Sequence, residues 1–340
     1  MFNLNDLVLM KPVVSFVMPA YNAEDYITEA INSVQRQSIS DWELIIVDDA
    51  STDDSLKIIT KFAEEDERIV VIKSGSNSGH AFTPRRIATM VAKSDLISPL
   101  DADDWIDSDY LDQLYSKYKS INADIVYPTM LVEESHRPMR FIPNHKFNFE
   151  RSYNGKELVK KTLNGWEISA NGGLIKKDFY IKCINQVKHS NYIFSDEYLT
   201  RVLLINASVV GISKAIYHYR PNDGSITKRV SSKIFELLIA DKYLSLLISS
   251  SFNENSEENI KIEIQRFFNI VDAIRKFNNI GNQLNSFGRS KVMHMIKTAY
   301  TDINWRILKD NIGWKYYYLI KSGITPASIF LKIYDRFSSK

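Results

Sequence analysis

The sequence has very little cysteine and no long apolar run. Cys183 is its one cysteine, so no internal disulfide forms, which fits a reducing compartment. We interpret Cys183 as a structural thiol rather than a nucleophile. No window approaches 18 uncharged apolar residues, the length expected of a membrane-spanning helix. Residues 1–12 lack the basic and apolar regions of a secretory signal. We therefore expect a cytoplasmic protein, either free or peripheral on the inner face of the plasma membrane.

An excess of charge of one sign is also missing. The 43 Lys and Arg residues nearly balance the 41 Asp and Glu residues, giving a formal net charge of +2. Nothing in this balance indicates nucleic acid as a partner. At 340 residues the chain exceeds the usual size of a single domain. We expect two domains, or one large domain with an appendage.

Strand and helix patterns alternate along the first 130 residues. This alternation predicts an α/β fold with a parallel sheet and right-handed crossovers. Polar residues follow the first four strands, where ligands of such sheets collect. No G-x-G-x-x-G or Walker A lysine motif follows any strand, which argues against a dinucleotide or P-loop site. The predicted strands are 13–18, 43–47, 69–72, 95–100 and 124–128, and the predicted helices are 24–35, 51–65, 84–93 and 109–120.

The fourth strand runs into an unusually acidic segment, Leu100-Asp101-Ala102-Asp103-Asp104-Trp105. Adjacent carboxylates repel one another unless a cation or hydrogen-bond donors offset their charge. Mg²⁺ and Mn²⁺ take oxygen ligands and often bridge to substrate phosphates, so a metal–diphosphate site is one interpretation. The other is a solvated acidic turn that caps the next helix. Taken alone, these residues favour the turn.

The second half of the chain is first mixed and then helical. Strands are predicted at 209–212 and 216–220, and the pair Asp196-Glu197 is predicted to open a helix. Helices follow near 234–249, 257–277 and 291–303. From Trp305 onward, aromatic residues alternate with basic ones. Such a tail suits an anionic bilayer surface, or an aromatic face docked on the protein or on a second subunit.

Four segments of the chain stand out by their order and spacing: Val14–Glu24, Ser33–Ser38, Trp42–Asp53 and Leu100–Asp104. Together they resemble the family 2 inverting glycosyltransferases of the GT-A fold. The resemblance implies a Rossmann-like, nucleotide-binding, mixed but mainly parallel sheet flanked by helices. We predict a GT-A catalytic domain over 1–230, with a donor half at about 13–130 and an acceptor half at about 131–230. We predict that 231–340 is helical and serves oligomerisation or docking at a membrane surface. Of the four segments, Leu100–Asp104 resembles the D-x-D motif.

The resemblance implies a nucleoside-diphosphate-sugar donor, most often a UDP-sugar, together with Mn²⁺ or Mg²⁺. Tyr21 would pack on the uracil, and Asp49 would accept from the base or ribose unless it caps the helix beside it. A guanidinium at the position of Arg85 would hold the diphosphate. Asp103 would ligate the metal and Asp101 would bond to ribose or to metal-bound water. The remaining predicted donor-side residues are Pro19, Ala20 and Ala102.

The histidine His218 resembles one that some family members supply as a further metal ligand. A histidine in an apolar strand is also often a hydrogen-bonded core residue, and both interpretations are open. On the acceptor or diphosphate side we predict roles for an aromatic residue, for glycines that allow close backbone approach, and for a loop that closes over the diphosphate. A solvated basic turn explains that loop nearly as well. These residues are Trp166, Asn171, Gly172, Gly173, Ser225 and Lys228.

The implied reaction is a direct displacement that inverts the anomeric centre. A carboxylate must take the proton of the attacking hydroxyl, and cations stabilise the leaving diphosphate. Asp196-Glu197 stands where the family carries an acidic pair, usually Glu-Asp, whose second member is the base. By position Glu197 is the base and Asp196 a supporting residue, although the swapped order leaves the two assignments open. Acids favoured by the helix dipole are the alternative.

We therefore predict a metal-dependent inverting glycosyltransferase that builds a bacterial surface polysaccharide, capsule, teichoic acid or lipopolysaccharide. Its acceptor would be a hydroxyl of a glycan, a lipid-linked saccharide or a polyol phosphate, and the protein could be a homo-oligomer. The alternative from another class is a sugar-nucleotide-binding protein without turnover. A nucleotidyltransferase is a further alternative, but the glycine-rich N-terminal loop typical of that class is missing from the sequence.

Overall fold

The computed structural model describes residues 11–133, 140–142, 147–163, 165–168, 171–187, 194–221, 231–328 and 331. The chain divides into two compact units. One unit combines Met1–Lys156, Glu167–Ser190 and Asn206–Asn222. The other combines Glu157–Trp166, Asn191–Ile205 and Asp223–Lys340. The assignment of catalysis to 1–230 and of oligomerisation or membrane-surface docking to 231–340 stays a prediction.

The first unit is built on a mixed sheet that has nine strands within the described residues. Its order is β3-β2-β1-β4-β8-β6-β9-β5, and β7 pairs with β6. β1, β2, β3 and β4 are mutually parallel, as are β6 and β9. The strands are β1 (Val14–Ala20), β2 (Trp42–Asp48), β3 (Ile69–Lys73), β4 (Leu96–Pro99), β5 (Trp105–Ile106), β6 (Ile125–Val132), β7 (Arg140–Ile142), β8 (Leu174–Lys176) and β9 (Val210–Tyr219).

Helices connect these strands and cover the sheet. β1 and β2 are buried along their whole length, which explains why most of their residues are apolar. The first helix buries Ile27, Ala30, Ile31 and Val34, the face predicted from their helical spacing. The predicted α/β architecture is thus confirmed. The helices are α1 (Ile27–Gln35), α2 (Ser55–Glu65), α3 (Phe82–Val91), α4 (Tyr110–Ile121), α5 (Gly155–Val159), which crosses into the other unit, and α6 (Lys177–Ile184).

One sequence-based prediction about the sheet was wrong. Residues 209–212 and 216–220 do not form two strands, because β9 runs continuously and pairs with β6 along its length. The register shifts between Tyr127 and Thr129, where β9 carries extra residues. Side-chain oxygens satisfy the backbone there: Ala215 N donates to Ser213 Oγ at 3.1 Å, and Thr129 Oγ1 donates to the Ser213 carbonyl at 2.9 Å. The polar residues that interrupt the apolar pattern therefore stabilise a bulge.

Two consecutive glycines precede β8 and lie against buried tyrosines. Gly172 and Gly173 both have positive φ, +70° and +99°. A Cβ at Gly172 would lie 2.6 Å from Tyr217 Cδ2 and 2.7 Å from the Tyr110 hydroxyl. Gly173 N donates to that hydroxyl at 2.7 Å. The two glycines therefore permit close packing inside the first unit, while their predicted part in acceptor binding stays a prediction.

The second unit is helical, as predicted for the C-terminal region. Its core contains Phe235, Phe267, Ile274, Val292 and Leu308. Side chains cap several helices: Ser256 accepts from Asn259 N, and Asn285 accepts from Gly288 N. The elements are α7 (Ser195–Asn206), a 3-10 helix (Ser232–Glu236), α8 (Leu237–Ser251), α9 (Glu257–Ile280), a 3-10 turn (Gly281–Gln283), α10 (Ser286–Asp302), α11 (Trp305–Asn311) and α12 (Trp314–Lys321).

The aromatic tail divides between the interior and the surface of this unit. Tyr317 is buried and its ring contacts Trp305 at a centroid distance of 5.9 Å. Trp314 and Tyr318 are 69% and 61% exposed. One aromatic face therefore docks on the same unit, and the roles in oligomerisation or at a membrane surface stay predictions. Among the helices in the described part of the chain, none has the length and apolar character needed to cross a membrane.

We predict that Gly172→Ala destabilises the protein. The added methyl group overlaps two buried tyrosines, which costs about 1–3 kcal/mol, and the left-handed backbone adds about 1 kcal/mol. Urea denaturation should show a lower midpoint than for the wild type. Gly75→Ala is the matched control, because a Cβ at Gly75 meets no atom within 4 Å. Equal midpoints for the two variants would contradict the packing role of Gly172.

Candidate active site

Three neighbouring parallel strands, β2, β1 and β4, end at one edge of the sheet in the first unit. At the end of β2, Asp49 N donates to the Ala20 carbonyl at 2.8 Å, so the two strand ends are joined. Asn22, with φ of 48°, fixes the adjoining loops: its side-chain oxygen accepts from Thr52 N at 2.8 Å. The structure thus brings together the predicted residues Ala20 and Asp49. Pro19 is buried within β1, and Tyr21, directly after β1, is 41% exposed.

Asp49 is buried, and hydrogen bonds from the described residues reach one of its two carboxylate oxygens. Its Oδ2 accepts from Ser78 N at 2.9 Å and from Ser78 Oγ at 2.7 Å, which fixes the loop after β3. Its Oδ1 is buried and has no hydrogen-bond partner among the residues that the structure describes. A buried, unpaired carboxylate oxygen costs free energy unless a donor satisfies it. The geometry therefore offers an acceptor to a ligand N–H or O–H at this edge.

The acidic turn after β4 depends on Asp104. This carboxylate is 1% exposed, and its Oδ2 accepts from the Tyr217 hydroxyl at 2.7 Å. Its Oδ1 accepts from Arg220 N at 2.9 Å. Burial, together with the charges of Asp101 and Asp103, raises the pKa of Asp104 well above its usual value. Asp104 therefore orients the turn. Ala102 is buried within the same turn.

A buried guanidinium offsets part of this negative charge. Arg85 of α3 is 8% exposed, and its Nη2 lies 2.6 Å from Asp101 Oδ1. The structure thus brings together the two residues for which the family resemblance implied neighbouring roles. Arg86, the next residue, is exposed. The turn and α3 together present carboxylates and a cation at the edge where β4 ends.

The chemistry of this turn fits a hard divalent cation. Carboxylate oxygens are suitable ligands, and the charges of Asp101 and Asp103 that raise the pKa of Asp104 are those that a cation would relieve. The described part of the chain contains no group of three His, Cys, Asp or Glu side chains able to hold a metal. Mg²⁺ is commonly held by one or two carboxylates together with substrate phosphates, and Asp101 and Asp103 supply two carboxylates.

His218 lies in a closed hydrogen-bond arrangement rather than pointing into an open site. Its Nδ1 is 2.8 Å from Glu133 Oε1, and its Nε2 is 2.9 Å from Asp107 Oδ1. The ring stacks on Trp105 at a centroid distance of 4.8 Å. Both nitrogens are therefore engaged, as in the core-histidine interpretation. Ligation of a metal would require one of these contacts to break.

Sequence reasoning missed the residues that hold the acidic turn in place. Tyr217 and Arg220 lie more than 100 residues from Asp104 in the chain. The Arg220 guanidinium lies over Trp105 at 4.6 Å and pairs with Glu29. The sequence signal that could have separated their roles is the alternation of side chains along β9, which places Tyr217 and His218 on opposite faces of the strand. The partners themselves could not be read from the sequence.

The predicted catalytic pair lies in the second unit, in the first turn of α7. Arg201, 1% exposed, donates through Nη1 to Glu197 Oε2 at 3.3 Å. It also donates through Nη2 to the Thr162 carbonyl at 2.6 Å, and its guanidinium lies 3.9 Å from the centre of the Trp166 ring. Arg201 therefore brings Glu197 and Trp166 together. Asp196 is half-buried in the same turn.

Glu197 faces a cleft of about 570 Å³ within the second unit. Next to it, buried Asp241 accepts from Gln265 Nε2 at 3.0 Å and from Asn269 Nδ2 at 2.8 Å. Burial raises the pKa of Asp241 to about 6, with Glu197 contributing. The cleft is lined by Thr162, Gly165, Trp166, Glu197, Arg201, Leu237, Ile264, Gln265, Phe268 and Asn269.

The last predicted site residues fall elsewhere. Asn171 is half-buried directly before Gly172 in the first unit. Ser225 and Lys228 lie outside the described residues. Their parts in binding the acceptor or the diphosphate stay predictions.

Comparison with known proteins agrees with this fold. The protein family described as "Glycosyl transferase family 2" matches residues 15–182 of this chain. Glycosyltransferase GlyG of Streptococcus pneumoniae is 28% identical over 228 residues, which are 64% of this chain and 74% of that protein. The poly(ribitol-phosphate) beta-glucosyltransferase of Bacillus spizizenii is 40% identical over 114 residues, which are 33% of this chain and 18% of that protein.

The fold also matches a solved structure over most of its length. A crystal structure of S. aureus TarS 1-349 in complex with UDP-GlcNAc aligns with a TM-score of 0.67 and 19% identity, covering 96% of this chain and 92% of that one. This likeness shows the GT-A fold. The matched family and the similarity to glycosyltransferase GlyG further identify the protein as a transferase enzyme. More narrowly, it belongs to the family 2 glycosyltransferases.

We predict that replacing Asp241 by asparagine changes how stability depends on pH. The pKa of Asp241 is raised to about 6 in the folded protein from 3.8, so its contribution to stability is full below pH 4 and is lost as the pH rises through 6. This difference between the folded and unfolded pKa corresponds to about 3 kcal/mol of unfolding free energy. The melting temperature of Asp241→Asn minus that of the wild type should therefore increase between pH 4 and 7.

Asp310→Asn, at an exposed position of α11, is the control and should show no such trend. A difference for Asp241→Asn that stays constant with pH would contradict the raised pKa.

Proposed function

We propose that the protein transfers a sugar from a UDP-sugar to a hydroxyl acceptor, with inversion at the anomeric carbon and with help from a divalent metal. The observation that carries this proposal is the contact between Arg85 and Asp101 at the acidic turn, at the sheet edge where β2, β1 and β4 end. A cation beside clustered carboxylates at the ends of parallel strands suits a diphosphate and its metal. Membership of family 2 supports the transfer chemistry.

The donor would lie along this edge. The unpaired buried Oδ1 of Asp49 would accept a hydrogen bond from the base or the ribose, and the exposed ring of Tyr21 would pack on the base. Arg85 would pair with the diphosphate. The complex of S. aureus TarS with UDP-GlcNAc, a protein of the same fold, supports a nucleotide-sugar donor of this kind.

Asp103 would hold Mn²⁺ or Mg²⁺, with Asp101 beside it, and the bound metal would supply positive charge to the diphosphate oxygens. Asp104 would keep the turn in place through Tyr217 and Arg220. Arg85 would oppose the negative charge that builds up on the leaving diphosphate. His218 would support the turn from β9 rather than enter the metal site.

The bond-making step requires a base. The acceptor hydroxyl oxygen would form a bond to the anomeric carbon as the bond from that carbon to the diphosphate oxygen breaks. The hydroxyl proton would pass to the carboxylate of Glu197, and the electron pair of the broken bond would leave with UDP. Glu197 is favoured over Asp196 because it lines the cleft, where Arg201 holds it.

The names of two relatives support a class of acceptor. One is named for β-glucosylation of poly(ribitol-phosphate), and another is a putative teichuronic acid biosynthesis glycosyltransferase of Bacillus subtilis. We infer an acceptor from surface polysaccharide or teichoic acid synthesis: a glycan, a lipid-linked saccharide or a polyol phosphate. A cytoplasmic position, free or peripheral at the inner face of the plasma membrane, and self-association remain part of the proposal.

The donor and the metal are tested by thermal shift with UDP-, GDP-, CMP- and dTDP-sugars, with and without Mn²⁺. We expect one UDP-sugar to raise the melting temperature in the presence of Mn²⁺, because ligand at a hundred times its Kd stabilises by about 2.7 kcal/mol. The shift should disappear in Asp103→Ala. It should persist in the control Asp95→Ala, whose carboxylate is exposed and pairs with Lys11.

A shift that is the same without Mn²⁺ and in Asp103→Ala would contradict the metal site. The absence of a shift with every nucleotide sugar would contradict the donor itself.

The base is tested by the release of UDP from the donor found in this way. Glu197→Gln keeps the shape of the side chain but removes its basicity, so the rate should fall about 10²–10⁴-fold. The donor-dependent thermal shift should remain. Asp196→Asn, one residue away, should lose much less activity. A larger loss in Asp196→Asn would move the assignment to Asp196, and wild-type binding without any release of UDP would support the alternative of a binding protein.

A further inference from the structure

The cleft next to Glu197 has one wall made by the long helix α9, which lies outside the part of the chain matched by the family. Gln265, Phe268 and Asn269 of α9 line it. Positions i, i+3 and i+4 share one face of a helix, so these side chains form a single patch. Glu197 and Trp166 line the same cleft. The patch on α9 is therefore part of the environment of the proposed base.

The two amides of this patch are held by a buried carboxylate. Asp241 of α8, 2% exposed, accepts one hydrogen bond from the amide nitrogen of Gln265 and one from that of Asn269. An amide that donates through its nitrogen carries its acceptor oxygen on the opposite side of the group. Asp241 therefore fixes both amides in one orientation. Such fixed groups can select between ligand hydroxyls at little cost in entropy.

An aromatic ring lies on the same face of the helix as these amides. Phe268 is 49% exposed, although phenylalanine is ordinarily buried in a core. Trp166, which lines the same cleft, is held against the guanidinium of Arg201. Aromatic faces beside oriented amides are a combination that suits the apolar C–H faces and the hydroxyl groups of a sugar or polyol.

The charges of the described lining residues disfavour an anionic ligand. The cation among its described lining residues, Arg201, is 1% exposed and already donates to Glu197 and to Thr162. The carboxylate of Glu197 faces the cleft, and Asp241 lies behind the amides. Among the lining residues that the structure describes, a phosphate group would therefore meet negative charge without an exposed cation.

We propose that this cleft binds the uncharged, hydroxyl-bearing part of the acceptor, a sugar ring or a polyol, and that Gln265, Phe268 and Asn269 determine its specificity. The inference rests on the proposed function, since it takes Glu197 as the base. It assigns the helical region a direct part in acceptor selection, and it places any phosphate of the acceptor outside the cleft. Asp241 acts as a positioning residue for the two amides.

The test is saturation-transfer difference NMR on the full chain without a donor. The neutral probes are ribitol, glycerol, methyl β-glucopyranoside and methyl β-N-acetylglucosaminide, and the charged probes are ribitol 5-phosphate and inorganic phosphate. We expect at least one neutral probe to bind and the phosphates not to compete with it. The affinity for that neutral probe should fall at least tenfold in Phe268→Ala and in Asn269→Ala. In Phe268→Tyr, which keeps an aromatic ring at this position, the affinity should stay at the wild-type level.

Phe287→Ala is the matched control, because Phe287 is 77% exposed on α10 of the same unit. It should bind the neutral probe as the wild type does. The inference is overturned if no neutral probe binds the wild type, if phosphate competes, or if Phe287→Ala weakens binding as much as Phe268→Ala. These measurements omit the nucleotide, so a negative result overturns only this inference. The absence of a donor-dependent thermal shift would overturn the proposed function instead.

Discussion

The hydrogen bond between the Tyr217 hydroxyl and Asp104 is the contact on which the first unit's site depends. Three aspartates in four consecutive positions would repel one another and distort the turn if none were satisfied from within. Tyr217 and Arg220 N take up both oxygens of Asp104, so this residue becomes part of the scaffold. Asp101 is then opposed by Arg85. The turn can hold this much negative charge because β9 lies beside it.

A buried arginine has the corresponding part in the second unit. Arg201 contacts Glu197 from α7, the backbone at Thr162 and the ring of Trp166. An arginine that is 1% exposed must have partners for its donors, and here they come from two separate segments of chain. The proposed base is therefore held by the same group that orders the loop opposite it. In both units, a buried polar contact joins segments that are distant in sequence.

Much of the fold could be predicted from the sequence because its signals are local. β1 and β2 are rich in apolar residues, as buried parallel strands are, and the apolar residues of α1 have helical spacing. The positions of Asp49, Arg85 and Asp101 at one sheet edge followed from the order of strands and from family resemblance. The partners of Asp104 and His218 could not be predicted, because strand pairing over more than 80 residues brings them together. Likewise, helical spacing identifies the buried face of α9 but not the residues beside it that line a cleft.

The second unit is assembled from three separate stretches of chain, so the polypeptide passes between the two units five times. Its cleft draws residues from each of those stretches. Recombination at a single point near residue 230 would therefore separate α9 from the loop and helix that face it. New acceptor preferences in such a protein would have to arise by coordinated change at several distant positions, rather than by exchange of a C-terminal cassette.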